Sequence, residues 1–182
     1  MKAPNDLPVI WSAEGVIARA VRALEIVTEL GGRWSAWLAA VLVAVTGLVV
    51  LLRYGFSIGS IQLQESIIYI NAAMVVLGAG YTLKHNGHVR VDVVYGRLSD
   101  RGKAMVNIGG SLLLLLPSMV YVLWVSWDYV AVSWQIRERS AESGGLPYVY
   151  LLKSGILVLC GLLIWQAVAE LLKDLTRLVR KP

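Results

Sequence analysis

The sequence predicts an all-α integral membrane protein with four transmembrane helices, both termini in the cytoplasm and an N-terminal amphipathic helix at the membrane interface. Its composition is the first reason. Hydrophobic residues fill 57% of the 182 positions and charged residues only 16%, whereas soluble domains carry about 25% charged residues. The mean hydropathy is +0.65. The second reason is that the apolar residues form runs of about twenty, the length of helix that crosses about 30 Å of hydrocarbon.

The whole chain, residues 1–182, is predicted to form a single membrane domain. Its transmembrane helices are expected at about residues 34–53, 61–83, 104–130 and 148–172. Helices are expected because lipid offers no partner to backbone N–H and C=O groups. Pro117 removes a backbone hydrogen bond in the third span, so we expect a kink there.

Residues 12–30 precede the first span and have a helical period. Val16, Ala20, Leu24 and Val27 share one stripe. Two interpretations fit this pattern: a helix lying on the membrane surface, or an amphipathic helix packing on protein. Between the spans, we expect a cytoplasmic loop at 84–103 and an outer segment at 131–147.

The distribution of basic residues predicts the orientation. Of the 17 Lys and Arg residues, four fall on one side of a four-span arrangement: Arg53, Arg137, Arg139 and Lys153. The other thirteen lie in the N-terminal region, the 84–103 loop and the C-terminal tail. Short loops rich in Lys and Arg stay in the cytoplasm, so both termini are expected there. Topology and attraction to membrane phospholipids account for the basic charge, and no nucleic-acid partner is expected.

Several kinds of chemistry find no support in the residues. His85, His88 and Asp92 do not supply the four ligands, or three and a water, of a Zn²⁺ site, and no cysteine lies near them. Cys160 lies in an apolar run and has no second cysteine to pair with. The chain has no nucleophile motif, phosphate loop or pair of acids in a span. We therefore expect no enzymatic activity, no cofactor and no metal.

Four polar residues in or beside the spans are candidate structural or interface residues. Glu65, Arg53 and Lys153 fall at similar depth near the outer headgroups. An ion pair of Glu65 with Arg53 or Lys153 is one interpretation, and a proton- or ion-coupling carboxylate is the other. Asn71 lies deeper and is expected to bond to another helix, of this chain or of a partner.

Four stretches of the sequence together resemble one family. They are LQES at residues 63–66, HVRVDVVYGRLSDRGK at 88–103, LLLLLP ending at Pro117, and SWQIRERSAESGGLPYVYLLKS at 133–154. Their order, spacing and topology resemble the small four-helix membrane subunit of TRAP (tripartite ATP-independent periplasmic) transporters, the DctQ-like family. The resemblance covers roughly residues 33–172.

The resemblance implies a Na⁺-driven secondary importer of organic acids, with keto and hydroxy acids as candidates, in the bacterial inner membrane. A periplasmic substrate-binding protein would capture the acid, and a large TRAP membrane subunit would carry the substrate and sodium sites. This chain would be the scaffold and would contribute to docking the binding protein. The residues that match the family motifs are implied to act as structural or interface residues: Glu65, His88, Arg90, Asp92, Gly145, Leu146, Pro147 and Lys153.

Two other functions are kept as alternatives. One is a haem- or quinone-binding four-helix anchor of a redox complex, which needs histidines inside the bundle. The other is a self-sufficient small exporter that depends on Glu65 as its only membrane carboxylate.

Overall fold

The computed structural model describes residues 13–85, 87 and 95–179, and this part of the chain contains helices and connecting turns but no strand. The helices are α1 (Ala13–Gly55), α2 (Ile61–Lys84), α3 (Asp100–Gly110), α4 (Leu116–Gln135) and α5 (Val149–Val179). A π-helical turn, Ser111–Leu115, joins α3 directly to α4.

Among the described residues, four segments are long and apolar enough to cross a membrane: Val21–Gly55, Ile61–Lys84, Asp100–Gln135 and Val149–Thr176. This confirms the predicted all-α class with four transmembrane helices. The first and third segments are longer than predicted, because regular helix continues past the apolar runs. The cytoplasmic position of the termini and the interfacial position of residues 12–30 stay predictions.

The central helix of the bundle is α5, which contacts all the others; α1 and α2 also pack along each other, and α3 and α4 pack on α5. Consecutive spans run antiparallel, so the helix ends gather in two groups. We call the end formed by residues 54–60 and 136–148 the Glu65 end. The opposite end, which holds Lys84 and residues 170–179, is the Lys84 end.

Small residues bring α1 and α2 into close contact. A Cβ atom added at Gly31 would lie 2.8 Å from the backbone oxygen of Leu77, and one added at Gly78 would lie 2.8 Å from the hydroxyl oxygen of Ser35. That hydroxyl donates a hydrogen bond to the backbone oxygen of Met74 at 2.9 Å. Close backbone approach through small residues, with a hydroxyl bonded across the contact, is typical of helix pairs in membranes.

Residues 13–30 form one unbroken helix with the first span. Val21 and Thr28 are buried, and the indole Nε1 of Trp165 in α5 donates a hydrogen bond to the backbone oxygen of Leu24 at 2.9 Å. One face of this segment therefore packs on protein.

The irregularity in the third span lies just before Pro117, where the sequence predicts a kink. The N–H of Leu116 bonds to the backbone oxygen of Ser111, five residues earlier. In a regular α-helix Pro117 would clash with the carbonyl of Leu113 and leave it without a donor. The wider π turn that contains Leu113 relieves this clash.

Many large apolar side chains of the bundle are exposed, and few are fully buried among the described residues. The buried apolar residues of the described part are Val21, Ala104, Val130, Cys160, Ala167 and Ala169. By contrast, Leu113 is 76% exposed, Trp124 75% and Val43 72%. Such a surface is stable only against lipid tails or a partner protein.

Candidate functional site

Glu65 lies just over one turn into α2 and is half-buried. One oxygen of its carboxylate accepts a hydrogen bond from the hydroxyl of Ser140. The other accepts one from the backbone N–H of Leu146, with an N–O distance of 2.5 Å. Both donors belong to residues 136–148, which connect α4 to α5 and which we call the Glu65 loop. The carboxylate therefore ties the start of α2 to this loop.

The Glu65 loop also has internal hydrogen bonds. The backbone N–H of Ser140 donates to the backbone oxygen of Leu146 at 3.2 Å, and that of Gly145 donates to Glu142 at 3.0 Å. The N–H of Glu142 donates to the Ser140 hydroxyl oxygen at 3.1 Å. Gly144 has φ +82°, a conformation that favours glycine. Ser140 therefore bonds through both its backbone N–H and its hydroxyl, and these bonds close the turn.

Gly145 leaves the space that the carboxylate occupies. A Cβ atom at this position would lie 2.7 Å from Oε1 of Glu65 and 2.6 Å from Cβ of Ser140. Leu146 and Pro147 follow, both half-buried, and α5 begins two residues later. The structure thus brings Glu65, Gly145 and Leu146 of the sequence-predicted set into one contact group, with Pro147 next to it.

Lys153 pairs with Glu138, not with Glu65. Its ammonium nitrogen is 2.6 Å from Oε2 of Glu138 and 4.0 Å from the ring centroid of Tyr129. The predicted ion pair of Glu65 with Lys153 or Arg53 is therefore wrong. The reason is that Lys153 lies on the side of α5 next to α4, while the loop donors occupy Glu65. The bond from Lys153 lowers the pKa of Glu138 below its ordinary value of 4.5.

Arg53 and Asn71 stand apart from this contact group. Arg53 is exposed at the end of α1 and lines a shallow groove with Ser60 and Gln64. Asn71 is exposed in the middle of α2 and bonds to no other helix within the described residues.

Arg137 is held beside two aromatic rings at the Glu65 end, which the sequence did not predict. Its guanidinium carbon lies 5.5 Å from the ring centroids of both Trp134 and Tyr150. The Trp134 indole donates a hydrogen bond to the Ser154 hydroxyl at 2.8 Å. The guanidinium is thus exposed but positioned, since Arg stacks well on aromatic faces.

The Lys84 end holds a cluster of ion pairs that sequence reasoning missed. Lys84 lies 2.6 Å from Glu29 and 3.3 Å from Glu25. Lys173 of α5 also pairs with Glu25, and lies 2.9 Å from Glu170. We call these five residues the Lys84 cluster. It joins α1, α2 and α5.

A buried hydrogen-bond chain continues from this cluster between α1 and α5. The Thr28 hydroxyl donates to the side-chain oxygen of Gln166 at 2.6 Å, and the Gln166 amide donates to Glu170 at 2.9 Å. Gln166 is 0% exposed. The sequence signals were the i, i+4 pairs Glu25 with Glu29 and Gln166 with Glu170, but their partners lie on other helices.

Three of the sequence-predicted residues, His88, Arg90 and Asp92, lie outside the described residues, and their interface role stays a prediction. Within the described ranges, no group of three or more His, Cys, Asp or Glu residues could hold a metal ion. The contacts of Glu65 with its loop and the ion pairs of the Lys84 cluster each connect separate helices. Both sets of contacts position helices and a loop.

A family model described as the DctQ component of tripartite ATP-independent periplasmic transporters matches residues 42–177. The match covers more than half of the chain and includes Glu65, the Glu65 loop and Lys153. Glu25 and Glu29 of the Lys84 cluster lie before it. No curated protein and no solved structure matches the chain.

Proposed function

Because the chain belongs to the DctQ family of tripartite ATP-independent periplasmic (TRAP) transporter components, we propose that it is the scaffold subunit of a Na⁺-coupled importer of organic acids. A large membrane subunit carries the acid and Na⁺ in this proposal, and a periplasmic binding protein delivers the acid. Carboxylates, including keto and hydroxy acids, are the substrate class. The complex lies in the bacterial inner membrane, with both termini of this chain in the cytoplasm.

The observation that carries the proposal is the family match over residues 42–177. The contacts of Glu65 agree with it: its carboxylate is engaged by Ser140 and the Leu146 N–H. A coupling carboxylate must exchange a proton or ion during transport, whereas this one holds a loop. The exposed apolar surface of the bundle, with Leu113 76% exposed, leaves ample area for a large partner and for phospholipid.

Docking of the binding protein is the second part of the proposal, and the Glu65 loop is the surface we assign to it. Glu65 and the internal hydrogen bonds restrict the conformations of this loop, which lowers the entropy that binding must remove. Arg137 is the strongest single anchor, because positioned Arg and aromatic residues contribute most to protein interfaces. Its guanidinium lies 5.5 Å from two ring centroids and would bind a carboxylate of the partner.

Uptake by reconstituted vesicles tests this function. Vesicles that hold this chain and the large subunit, with the binding protein and labelled organic acid outside, should accumulate the acid only when external Na⁺ exceeds internal Na⁺. Leaving out this chain, the binding protein or the sodium gradient should each reduce uptake to background. Full uptake by the large subunit without this chain would contradict the proposal.

The alternative of a redox anchor with haem or quinone gains no support from the family match. The exporter alternative requires transport by this chain alone, and the same vesicles, loaded with the chain and no other protein, test it directly.

A further inference from the structure

Five residues of α2 follow a regular spacing along one face of the helix; Gln62 and Tyr81 are exposed elsewhere on it. Ile61, Ile68, Asn71 and Val75 are exposed, and Gln64 is half-buried. Their separations of three, four, three and four residues form the seven-residue repeat of a helix–helix seam. We call these five residues the Asn71 face. The rest of α2 packs on α1 and α5. Gln64 borders α1 at the groove that Arg53 lines, and the other four residues of the face are exposed within the described part of the chain.

Asn71 sits at the middle of the span that runs from Ile61 to Lys84, ten residues from one end and thirteen from the other. That places it about 15 Å along the helix from the nearer end, within the hydrocarbon layer of a bilayer. Its side chain is exposed and has no hydrogen bond to any other residue in the described ranges. A carboxamide has two N–H donors and a carbonyl acceptor.

Lipid is a poor neighbour for this side chain. Hydrocarbon offers neither donor nor acceptor, and an unpaired amide there is strongly unfavourable. Ile61, Ile68 and Val75 would suit lipid tails or protein equally well. The Asn71 carboxamide therefore favours protein over lipid as the neighbour of this face, because protein can supply hydrogen-bonding groups.

Resting on the proposed function, we infer that the Asn71 face is a binding surface for a transmembrane helix of the large subunit. That helix presents a hydroxyl, a carboxamide or a free backbone carbonyl to Asn71. Ile68 and Val75 pack one turn to either side of the bond, as the apolar positions of the repeat do in a left-handed helix pair.

A single polar residue in an apolar seam also selects the alignment of the two helices. An Asn at one core position of a coiled coil fixes the register, since only one alignment pairs its amide. We assign this role to Asn71, so the partner helix should bind at one height and in one rotation.

The test uses the full chain coexpressed with the large subunit and purified in mild detergent. Asn71→Leu keeps the volume close and removes the hydrogen bonds, and should weaken association of the two subunits about threefold to thirtyfold. Gln62→Leu removes a carboxamide from an exposed position of the same helix outside the Asn71 face; it is the matched control and should change association by no more than about twofold. Thermal unfolding of the isolated Asn71→Leu chain should show a midpoint no lower than that of the unchanged chain, which excludes misfolding as the cause.

A photoreactive amino acid at Val75 identifies the occupant. An adduct with the combined mass of this chain and the large subunit is expected. An adduct of two copies of this chain, an adduct with lipid only, or unchanged or tighter association of Asn71→Leu would each overturn the inference while leaving the proposed function intact. If the unchanged chain does not associate with a large membrane subunit at all, the proposed function is contradicted. The assignment of the Asn71 face to a helix of that subunit is then contradicted as well.

Discussion

The backbone N–H of Leu146 donates a hydrogen bond to the Glu65 carboxylate at 2.5 Å, across 81 residues of sequence. This bond connects the start of α2 with the loop that leads into α5. Together with the Ser140 hydroxyl, it makes Glu65 a positioning residue for the Glu65 loop. Glu65 lies one turn into a candidate membrane span. Its two hydrogen bonds to the Glu65 loop explain why a carboxylate is present there.

Glu65→Gln should loosen the Glu65 loop. The amide keeps the shape of the side chain but can accept through only one oxygen, and it loses the charge that strengthens both bonds. Hydrogen bonds to charged groups contribute about 1.5–3 kcal/mol. Hydrogen–deuterium exchange in detergent should therefore be about tenfold to a hundredfold faster at the Leu146 amide, provided that exchange occurs through local opening of the loop.

Glu142→Gln is the control for this measurement, because the Glu142 side chain is exposed in the same loop. It should leave exchange at Leu146 unchanged. In the assembled transporter, Glu65→Gln should reduce assembly or change uptake little. Abolished transport with intact assembly and normal loop exchange would instead support a coupling carboxylate.

Acid should selectively weaken the Glu138–Lys153 pair. The pKa of Glu138 is lowered from 4.5, with the hydrogen bond from Lys153 as the largest cause. A carboxylate whose pKa is lower in the folded state than in the unfolded state stabilises the folded state. This contribution is complete at pH values above the unfolded pKa and is lost as the pH falls through the folded pKa. The unchanged chain should therefore unfold at a higher temperature than Glu138→Gln at pH 7, and the difference should shrink as pH falls below 4.5.

A pH series of thermal unfolding midpoints in detergent measures this effect. Glu142→Gln serves again as the control and should show no such pH-dependent difference. A difference between the unchanged chain and Glu138→Gln that stays constant down to about pH 3 would show that the pair does not titrate as described.

The buried bond between Thr28 and Gln166 should appear as coupling in a double-mutant cycle. Gln166→Leu leaves the Thr28 hydroxyl buried and unpaired, which should destabilise the chain by about 1–3 kcal/mol. Thr28→Val with Gln166→Leu should destabilise it by less than the sum of the single changes, because the second change removes the unpaired group. Pulse proteolysis in detergent gives the four unfolding free energies. Additive effects would contradict a direct bond.

Cysteine labelling tests the orientation. In a Cys160→Ala background, a cysteine at Ser143 of the Glu65 loop should react with a membrane-impermeant maleimide on intact cells. A cysteine at Arg97, which is also exposed, should react only after the cells are permeabilised. The reverse pattern would place the termini outside and overturn the orientation predicted from the basic residues.

The four spans could be predicted from sequence because lipid forces long apolar runs to become helices. The irregularity near Pro117 was also predictable, since proline removes a specific backbone bond. Both follow from residues that are close together in the chain. The four stretches that together resemble the DctQ-like family also pointed correctly to it.

The partners of the polar residues could not be predicted in the same way. Glu65 was expected to pair with a cation at equal depth, yet its donors are a hydroxyl and a backbone N–H of a loop. Depth along the membrane normal is readable from sequence, but rotation about a helix axis depends on packing. Lys153 and Glu65 were expected at the same depth, but they face different neighbours. Lys84 likewise bonds to Glu29, 55 residues away in sequence, because packing sets the rotation of each helix.

Purification from native membranes tests the central claim most directly. An affinity tag on the full chain should recover, in mild detergent, a stoichiometric complex with one much larger polytopic membrane protein, and the complex should show no Soret band. Recovery of the chain alone across several mild detergents, or with haem-carrying subunits and a Soret absorption, would contradict its assignment as the scaffold subunit of a transporter.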